Sequence, residues 1–452
     1  MKIVVIGGGK VGGNICKELS DSCDIVLIDS NPDVIESIFE ELDIQAIVGN
    51  GAFVDVQIEA GMKDTDFVLA VTNSDEQNIM ACILAKSLGV KKSIARVRNP
   101  EYHQNVDFIK KAFGIDAMIN PELETAGVIR KILSFPMALN IDSFAGGKVS
   151  LVEIEIKQGS VLENMDLKTF RESFEGNILV SIVERKNEII IPRGDTVLKS
   201  GDRIHITGSS IDLDRIYPKI SQKQAPVRSV VIVGAGKIGY YLIKKLAKSR
   251  SFEIKVIEQK KERADIISKQ FPNVIVINAD GSNQRVLEEE GISEYDGCIA
   301  LTGIDEENIF ISLFAKHKGV RKCITKVNRR SMLKILDHVN LDSIITPELI
   351  IADEIIRFTK SLMTNGSSNI EHLYKLSDGR VEAIEFVATS NNKSVININL
   401  MNLQIIDNTL VSLIVRDGEP ILPKGTDFIK LGDRVLIVTT HTDILSLDDI
   451  VK

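Results

Sequence analysis

Two stretches of this 452-residue chain carry the same pattern. Residues 2–29 read KIVVIGGGKVGGNICKELSDSCDIVLID and residues 230–258 read VVIVGAGKIGYYLIKKLAKSRSFEIKVIE. Each is an apolar strand, a G-x-G-x-x-G turn, a helix, and a second apolar strand that ends on a carboxylate. The spacing has a physical reason. Gly7 permits a tight strand-to-helix turn, Gly9 lets a pyrophosphate approach the backbone, and Gly12 lets the helix pack against the strand. A phosphate then meets the unpaired N–H groups of the helix N-terminus. Gly234, Gly236 and Gly239 stand in the same places in the second copy. Asp29 and Glu258, about 20 residues on, are placed to accept hydrogen bonds from ribose hydroxyls. A single glycine turn can simply join a strand to a helix; two copies, each with its carboxylate, point to two dinucleotide-type sites.

The repeat continues. Gly49-Asn50-Gly51 pairs with Ala279-Asp280-Gly281, Asp75-Glu76-Gln77-Asn78 with Asp305-Glu306-Glu307-Asn308, Arg96 with Lys326, and Asn120-Pro121-Glu122-Leu123 with Thr346-Pro347-Glu348-Leu349. Apolar strands expected at Ile44–Val48, Phe67–Val71, Ser93–Val97 and Ala117–Ile119 alternate with helical patterns at Asp33–Glu41, Phe53–Ala60, Asn78–Leu88 and His103–Phe113, which predicts a parallel α/β sheet. Amphipathic helices are expected at Glu124–Leu133 and Ile350–Lys360. A second unit also repeats. Gly147-Lys148-Val149 pairs with Gly379-Arg380-Val381, and Gly201-Asp202-Arg203 with Gly432-Asp433-Arg434, amid period-two strands such as Leu179–Arg185. The polar stretch Ser221–Val227 reads as the linker between halves, and Asn365–Asn369 as a loop.

The expected fold class is therefore α/β: two Rossmann-type parallel-sheet domains at 1–123 and 228–349, each followed by a small α+β domain, at 124–220 and 350–452. A net charge of −8 without a basic stripe argues against nucleic acid. No apolar run nears the ~20 residues of a membrane span, and a first strand opening at Lys2 leaves no expected signal peptide. The expectation is a soluble, cytoplasmic protein. Five scattered cysteines, with no C-x-x-C, suggest neither zinc nor disulfides, and no metal ligand set is expected.

The order of these parts resembles the tandem RCK (KTN) proteins, regulatory subunits of Trk-type potassium uptake. The resemblance spans essentially the whole chain. It implies a nucleotide-sensing cytoplasmic regulator, peripheral on the inner face of the cell membrane. Such a regulator gates an integral-membrane K⁺ translocating subunit, works as a homo-oligomer (dimer or tetramer), and binds NAD⁺ or NADH, with ATP and ADP as alternatives. Carried over by position, the first site comprises Gly7, Gly8, Gly9, Lys10, Val11 and Gly12 at the phosphates and Asp29 at the ribose, completed by Asn50, Gly51, Thr72, Asn73 and Arg96. The second comprises Gly234, Ala235, Gly236, Lys237, Ile238, Gly239, Glu258, Asp280, Gly281, Thr302, Gly303 and Lys326. Asn50 against Asp280, and Asn73 against Gly303, imply that the two sites differ in affinity or preferred nucleotide. At the first site Asp29 would repel a 2′-phosphate, so NAD is expected over NADP.

The competing reading is a nicotinamide-dependent oxidoreductase. Hydride transfer needs an acid/base group beside the nicotinamide, and the sequence presents no histidine-carboxylate constellation and no P-loop. No enzyme activity and no catalytic residue are expected.

Overall fold

The computed structural model describes residues 1–452 except 21–22, 136–137, 139, 145–147, 175–177, 187, 221–226, 249–251, 337–338, 340, 364–369 and 378–379. Residues 221–226 of the expected linker Ser221–Val227, the Asn365–Asn369 loop and the paired Gly147 and Gly379 lie outside the described residues.

Strands appear in four groups along the chain. The first is β1 (Lys2–Ile6), β2 (Asp24–Asp29), β3 (Gln45–Val48), β4 (Phe67–Ala70), β5 (Lys92–Arg96) and β6 (Ala117–Ile119). The second is β7 (Asn140–Phe144), β8 (Val149–Glu155), β9 (Ile178–Arg185), β10 (Glu188–Ile190) and β11 (Arg203–Ser209). The third is β12 (Ser229–Val233), β13 (Glu253–Ile257), β14 (Ile275–Ile277), β15 (Gly297–Ala300), β16 (Lys322–Lys326) and β17 (Ser343–Ile345). The last is β18 (Ile370–Leu376), β19 (Val381–Val387), β20 (Thr409–Arg416), β21 (Glu419–Ile421) and β22 (Arg434–Thr439).

By its contacts the chain forms two compact units: residues 1–130 with 227–356, and residues 131–226 with 357–452. The first unit holds two six-stranded sheets, ordered β3-β2-β1-β4-β5-β6 and β14-β13-β12-β15-β16-β17. Every pairing in them is parallel. This is the doubly wound Rossmann order, with its switch point between the first and fourth strands. Both faces are covered, so the inner strands are apolar throughout: Ile3, Val4, Val5 and Val230, Val231, Ile232 are almost wholly buried. The two copies meet within this unit, where Asn120 Nδ2 donates to the Tyr241 hydroxyl at 2.9 Å.

Three helical regions differ from the sequence expectation. The stretch 103–113 is divided between two helices, Pro100–Gln104 and Val106–Phe113, broken at Asn105, whose φ of −112° and ψ of 22° lie outside the helical region. The helices expected at 124 and 350 begin earlier, as Pro121–Ser134 and Pro347–Met363. Proline at the first helical position is pre-set for that turn, and the Asn120 side chain accepts from Leu123 N at 3.0 Å as a cap.

The second unit holds two five-stranded antiparallel sheets, β10-β9-β11-β8-β7 and β18-β19-β22-β20-β21, which are one topology used twice. They share a core in which Phe144 packs edge-on against Tyr374 with ring centroids 4.4 Å apart. The G-D-R turns anchor neighbouring strands. Buried Asp202 takes Arg185 in a two-pronged ion pair (2.8 and 2.7 Å), and Asp433 takes Arg416 likewise (3.0 and 2.7 Å).

Candidate functional site

Each Rossmann copy has a cavity at its switch point, at the carboxyl ends of the strands. In the first copy it is about 720 Å³, lined among others by Gly7, Gly9, Lys10, Val11, Asp29, Asn50, Gly51, Thr72, Asn73 and Arg96. In the second it is about 350 Å³, and Gly234, Gly236, Glu258, Asp280, Gly281, Thr302 and Gly303 line it. These are sizes that ligand pockets commonly have.

The glycine turns behave as the spacing requires. Gly7 has φ of +104° and Gly234 φ of +98°, which L side chains rarely adopt. A Cβ on Gly12 would lie 1.8 Å from Gly7 O, whereas one on Gly9 would meet nothing within 4 Å, so Gly9 faces open space. Gly8, Gly12, Ala235, Lys237, Ile238, Gly239 and Lys326 are not among the cavity-lining residues. Gly8 and Ala235 instead hold the acidic strand ends. Asp29 accepts from Gly8 N (2.6 Å) and Asn31 N (2.8 Å), and Glu258 from Ala235 N (2.7 Å) and Lys260 N (2.8 Å). Each carboxylate expected at the ribose therefore also closes its own glycine loop, and each oxygen, with one backbone donor, keeps capacity for a further hydrogen bond.

Behind the lining sits a framework built from the D-E-x-N motif, whose role the sequence alone does not disclose. Asn78 accepts from Thr72 N (2.9 Å) and Thr72 Oγ1 (2.7 Å) and donates to Arg96 O (2.8 Å), tying the ends of β4 and β5 together. Asn308 does the same between Thr302 N (2.8 Å) and Lys326 O (3.0 Å). Asp75 accepts from Arg98 N and Asn99 N at 3.0 and 2.8 Å, and Asp305 from Asn328 N and Arg329 N, both at 2.9 Å. The motif is thus a clamp that sets where Thr72 and Arg96, or Thr302 and Lys326, stand. Asn50 and Asp280 also act alike, accepting from Ala52 N (2.9 Å) and Ser282 N (3.0 Å), so the difference between them is chiefly charge.

Arg96 Nε is buried and has no hydrogen-bond partner among the described residues. Burial first, and the neighbouring Arg98 second, hold the guanidinium below its ordinary pKa. An incoming anion would relieve both. Lys326 is half-buried, its ammonium pulled down by desolvation against the opposing field of Asp305, Glu348 and Glu122.

Among the further residues that line the cavities without a sequence expectation, Glu348 and Arg263 are notable. Glu348, from the second copy, lines the first cavity and lies 3.4 Å from Lys10 Nζ; burial pushes its carboxyl above the usual range, with Lys10 pulling back. Only the packing of the two copies brings it there. Arg263 lines the second cavity and donates from Nη1 to Ala235 O at 3.0 Å, lying over the glycine turn. Its position is that of Val34 in the first copy, just past the acidic strand end, and that offset was the available signal.

Strand order, glycine turn and acidic strand end together define a tandem Rossmann protein of the nucleotide-site type, with small antiparallel domains attached. The TrkA-N domain model matches residues 3–121 and 230–347, and the TrkA-C domain model matches residues 151–221. The chain belongs to the TrkA family. The Trk system potassium uptake protein TrkA homolog 2 of Methanosarcina mazei is 33% identical over 463 residues, covering 100% of both chains. The homolog of Archaeoglobus fulgidus is 32% identical over 100% of both, and TrkA of Halomonas elongata 30% identical over 97% of this chain and 95% of its own. Among solved structures, the GsuK RCK domain superposes with a TM-score of 0.62 at 15% identity, covering 97% of this chain and 92% of that one. The GsuK channel bound to NAD gives 0.61 at 15% identity, covering 97% and 76%. These establish the RCK fold. No helix among the described residues is long and apolar enough to cross a membrane.

Proposed function

We propose that the chain is the nucleotide-sensing regulatory subunit of a Trk-type potassium uptake system: it binds NAD⁺ or NADH, with ATP or ADP as alternatives, and so controls the membrane K⁺ translocating subunit. The observation that carries this reading is the first cavity. It brings together the Asp29 carboxylate, expected at the ribose, the open space over Gly9, where a phosphate is expected, and the Nε of Arg96, which has no partner among the described residues. The full-length relatives named as potassium uptake proteins supply the setting.

For control of a partner, the nucleotide must bind one arrangement of the protein better than another; a fiftyfold difference supplies ~2.3 kcal/mol. The chain acts on this reading as a homo-oligomer on the cytoplasmic face of the membrane. Calorimetry with NAD⁺, NADH, ATP and ADP tests the binding. Asp29→Ala and Glu258→Ala are each expected to weaken it by ~1–3 kcal/mol at their own site. Potassium flux through the reconstituted membrane subunit tests the control, and NADH should remain unconsumed with any supplied oxidant. Flux indifferent to protein and nucleotide, or sustained NADH turnover, refutes the reading.

A further inference from the structure

The duplication supplies an internal control for the surface. At the β3 edge of the first sheet five large apolar side chains are exposed: Phe39 (60%), Val48 (52%), Phe53 (62%), Val54 (41%) and Ile58 (58%). Their counterparts at the β14 edge are Ser268, Asn278, Asn283, Gln284 and Glu288. The second copy therefore shows that this fold accepts polar residues at all five places, and that they are not needed apolar for the core. The β14 edge exposes only Ile266 and Ile275 (51% and 46%) in other places, so the β3 edge is the more apolar of the two and suits an interaction surface, and β3, the last strand of its sheet, also offers unpaired backbone groups.

Charge says what fits there. From Asp33 through Glu59 the chain carries seven carboxylates and no Lys, Arg or His. The matching span, Glu262 through Glu289, carries five carboxylates and three basic residues. An apolar edge in an acidic rim favours an occupant both apolar and basic. A second copy of the same edge would set like charge against like. Cytoplasmic loops of membrane proteins carry an excess of Lys and Arg.

We propose that the β3 edge of the first Rossmann copy docks a basic, apolar cytoplasmic segment of the potassium-translocating membrane subunit. This rests on the function proposed above. The docking edge adjoins the nucleotide cavity, since Gly49, Asn50 and Gly51 line that cavity and Phe53 follows closely, its N–H bonded to Asn50 O at 3.0 Å.

The test transplants the second copy's residues: full-length protein carrying Phe39→Ser, Val48→Asn, Phe53→Asn, Val54→Gln and Ile58→Glu, beside a Glu40→Lys, Glu41→Lys variant. Each is titrated against the detergent-solubilised membrane subunit at low and high salt, with light scattering for self-association and calorimetry with NAD⁺ as a check on folding. The expected result is at least a tenfold loss of affinity for both variants, with binding of the unaltered protein weakened by salt and NAD⁺ binding retained. Unchanged affinity in the variants overturns the docking surface while the proposed function stands. Loss of self-association with membrane-subunit binding intact makes the occupant a second copy and overturns it too. Failure of the unaltered protein to bind the membrane subunit overturns both readings.

Discussion

The two Rossmann copies share strand order, glycine turn and the Asn78 or Asn308 clamp, yet their cavities measure about 720 and 350 Å³. The difference lies in what lines them. Where the first copy has Val34 the second has Arg263, bonded across the glycine turn, and the first cavity borrows Glu348 from its neighbour. The framework that holds strand ends in place is duplicated, while the groups that would meet a ligand have diverged. Two pockets with one scaffold and different linings are suited to different ligands or different affinities.

The comparison is tested most severely at the glycines. Gly12→Ala forces a Cβ to within 1.8 Å of Gly7 O, Gly239→Ala only to 2.4 Å of Gly234 O. The first substitution should cost about 3 kcal/mol or more and the second less, since overpacked backbone has no room to yield. Peptide-resolved hydrogen exchange reads each copy separately. Equal protection in both variants would mean the two turns are not packed differently.

A pH experiment breaks the likeness of the two small domains. His205 stands in β11 where the other sheet has Leu436, and burial pulls its pKa down to about 4, with Glu184 opposing. Unfolded, the imidazole titrates near ~6.5. Between those values the unfolded chain binds the proton and the folded one does not, so stability falls as pH drops from about 6.5 toward 4. The loss is on the order of 2–3 kcal/mol. His205→Leu should flatten that slope, measured by urea unfolding at pH 7 and pH 4.5; an unchanged slope would assign the acid sensitivity elsewhere.

At the ligand, Arg96→Ala should lower first-site nucleotide affinity about thirtyfold, the loss of ~2 kcal/mol expected for a hydrogen bond to a charged group. Lys326→Ala should lower second-site affinity less, because Lys326 does not line that cavity. Site-resolved calorimetry decides, and a larger effect for Lys326 would mean that the second cavity rearranges around its ligand.

What can be read from the sequence depends on whether a feature is local in the chain. The Rossmann copies are readable because buried parallel strands and glycine turns obey local rules: Gly7 needs positive φ whatever surrounds it. Asp29 and Glu258 fall at the strand ends as their spacing implies, but their bonds to Gly8 N and Ala235 N are not foreseeable, since the loop folds back over 21 and 23 residues. Glu348 is invisible as a first-site residue because only packing between copies brings it to Lys10. The helix starts at Pro121 and Pro347 lie about three residues before the expected ones because an apolar stripe signals a helix body and not its first turn.

The smallest effect is the most discriminating for the comparison. Arg263 is solvent-exposed, so its charge contributes at most ~1 kcal/mol toward a phosphate. Arg263→Val should therefore weaken second-site ATP only a few-fold while opening that cavity toward the size of the first. The converse change, Val34→Arg, places a guanidinium over Gly7-Gly8-Gly9 and should weaken NAD⁺ at the first site by a similar factor, through lost space and not lost charge. Both are read by calorimetry on the full chain. If the pair leaves nucleotide preference at both sites unchanged, the substitution of Val34 by Arg263 does not set what the cavities bind, and the distinction lies with the other differences: Asn50 against Asp280, Asn73 against Gly303, Arg96 against Lys326, or Glu348 reaching across to Lys10.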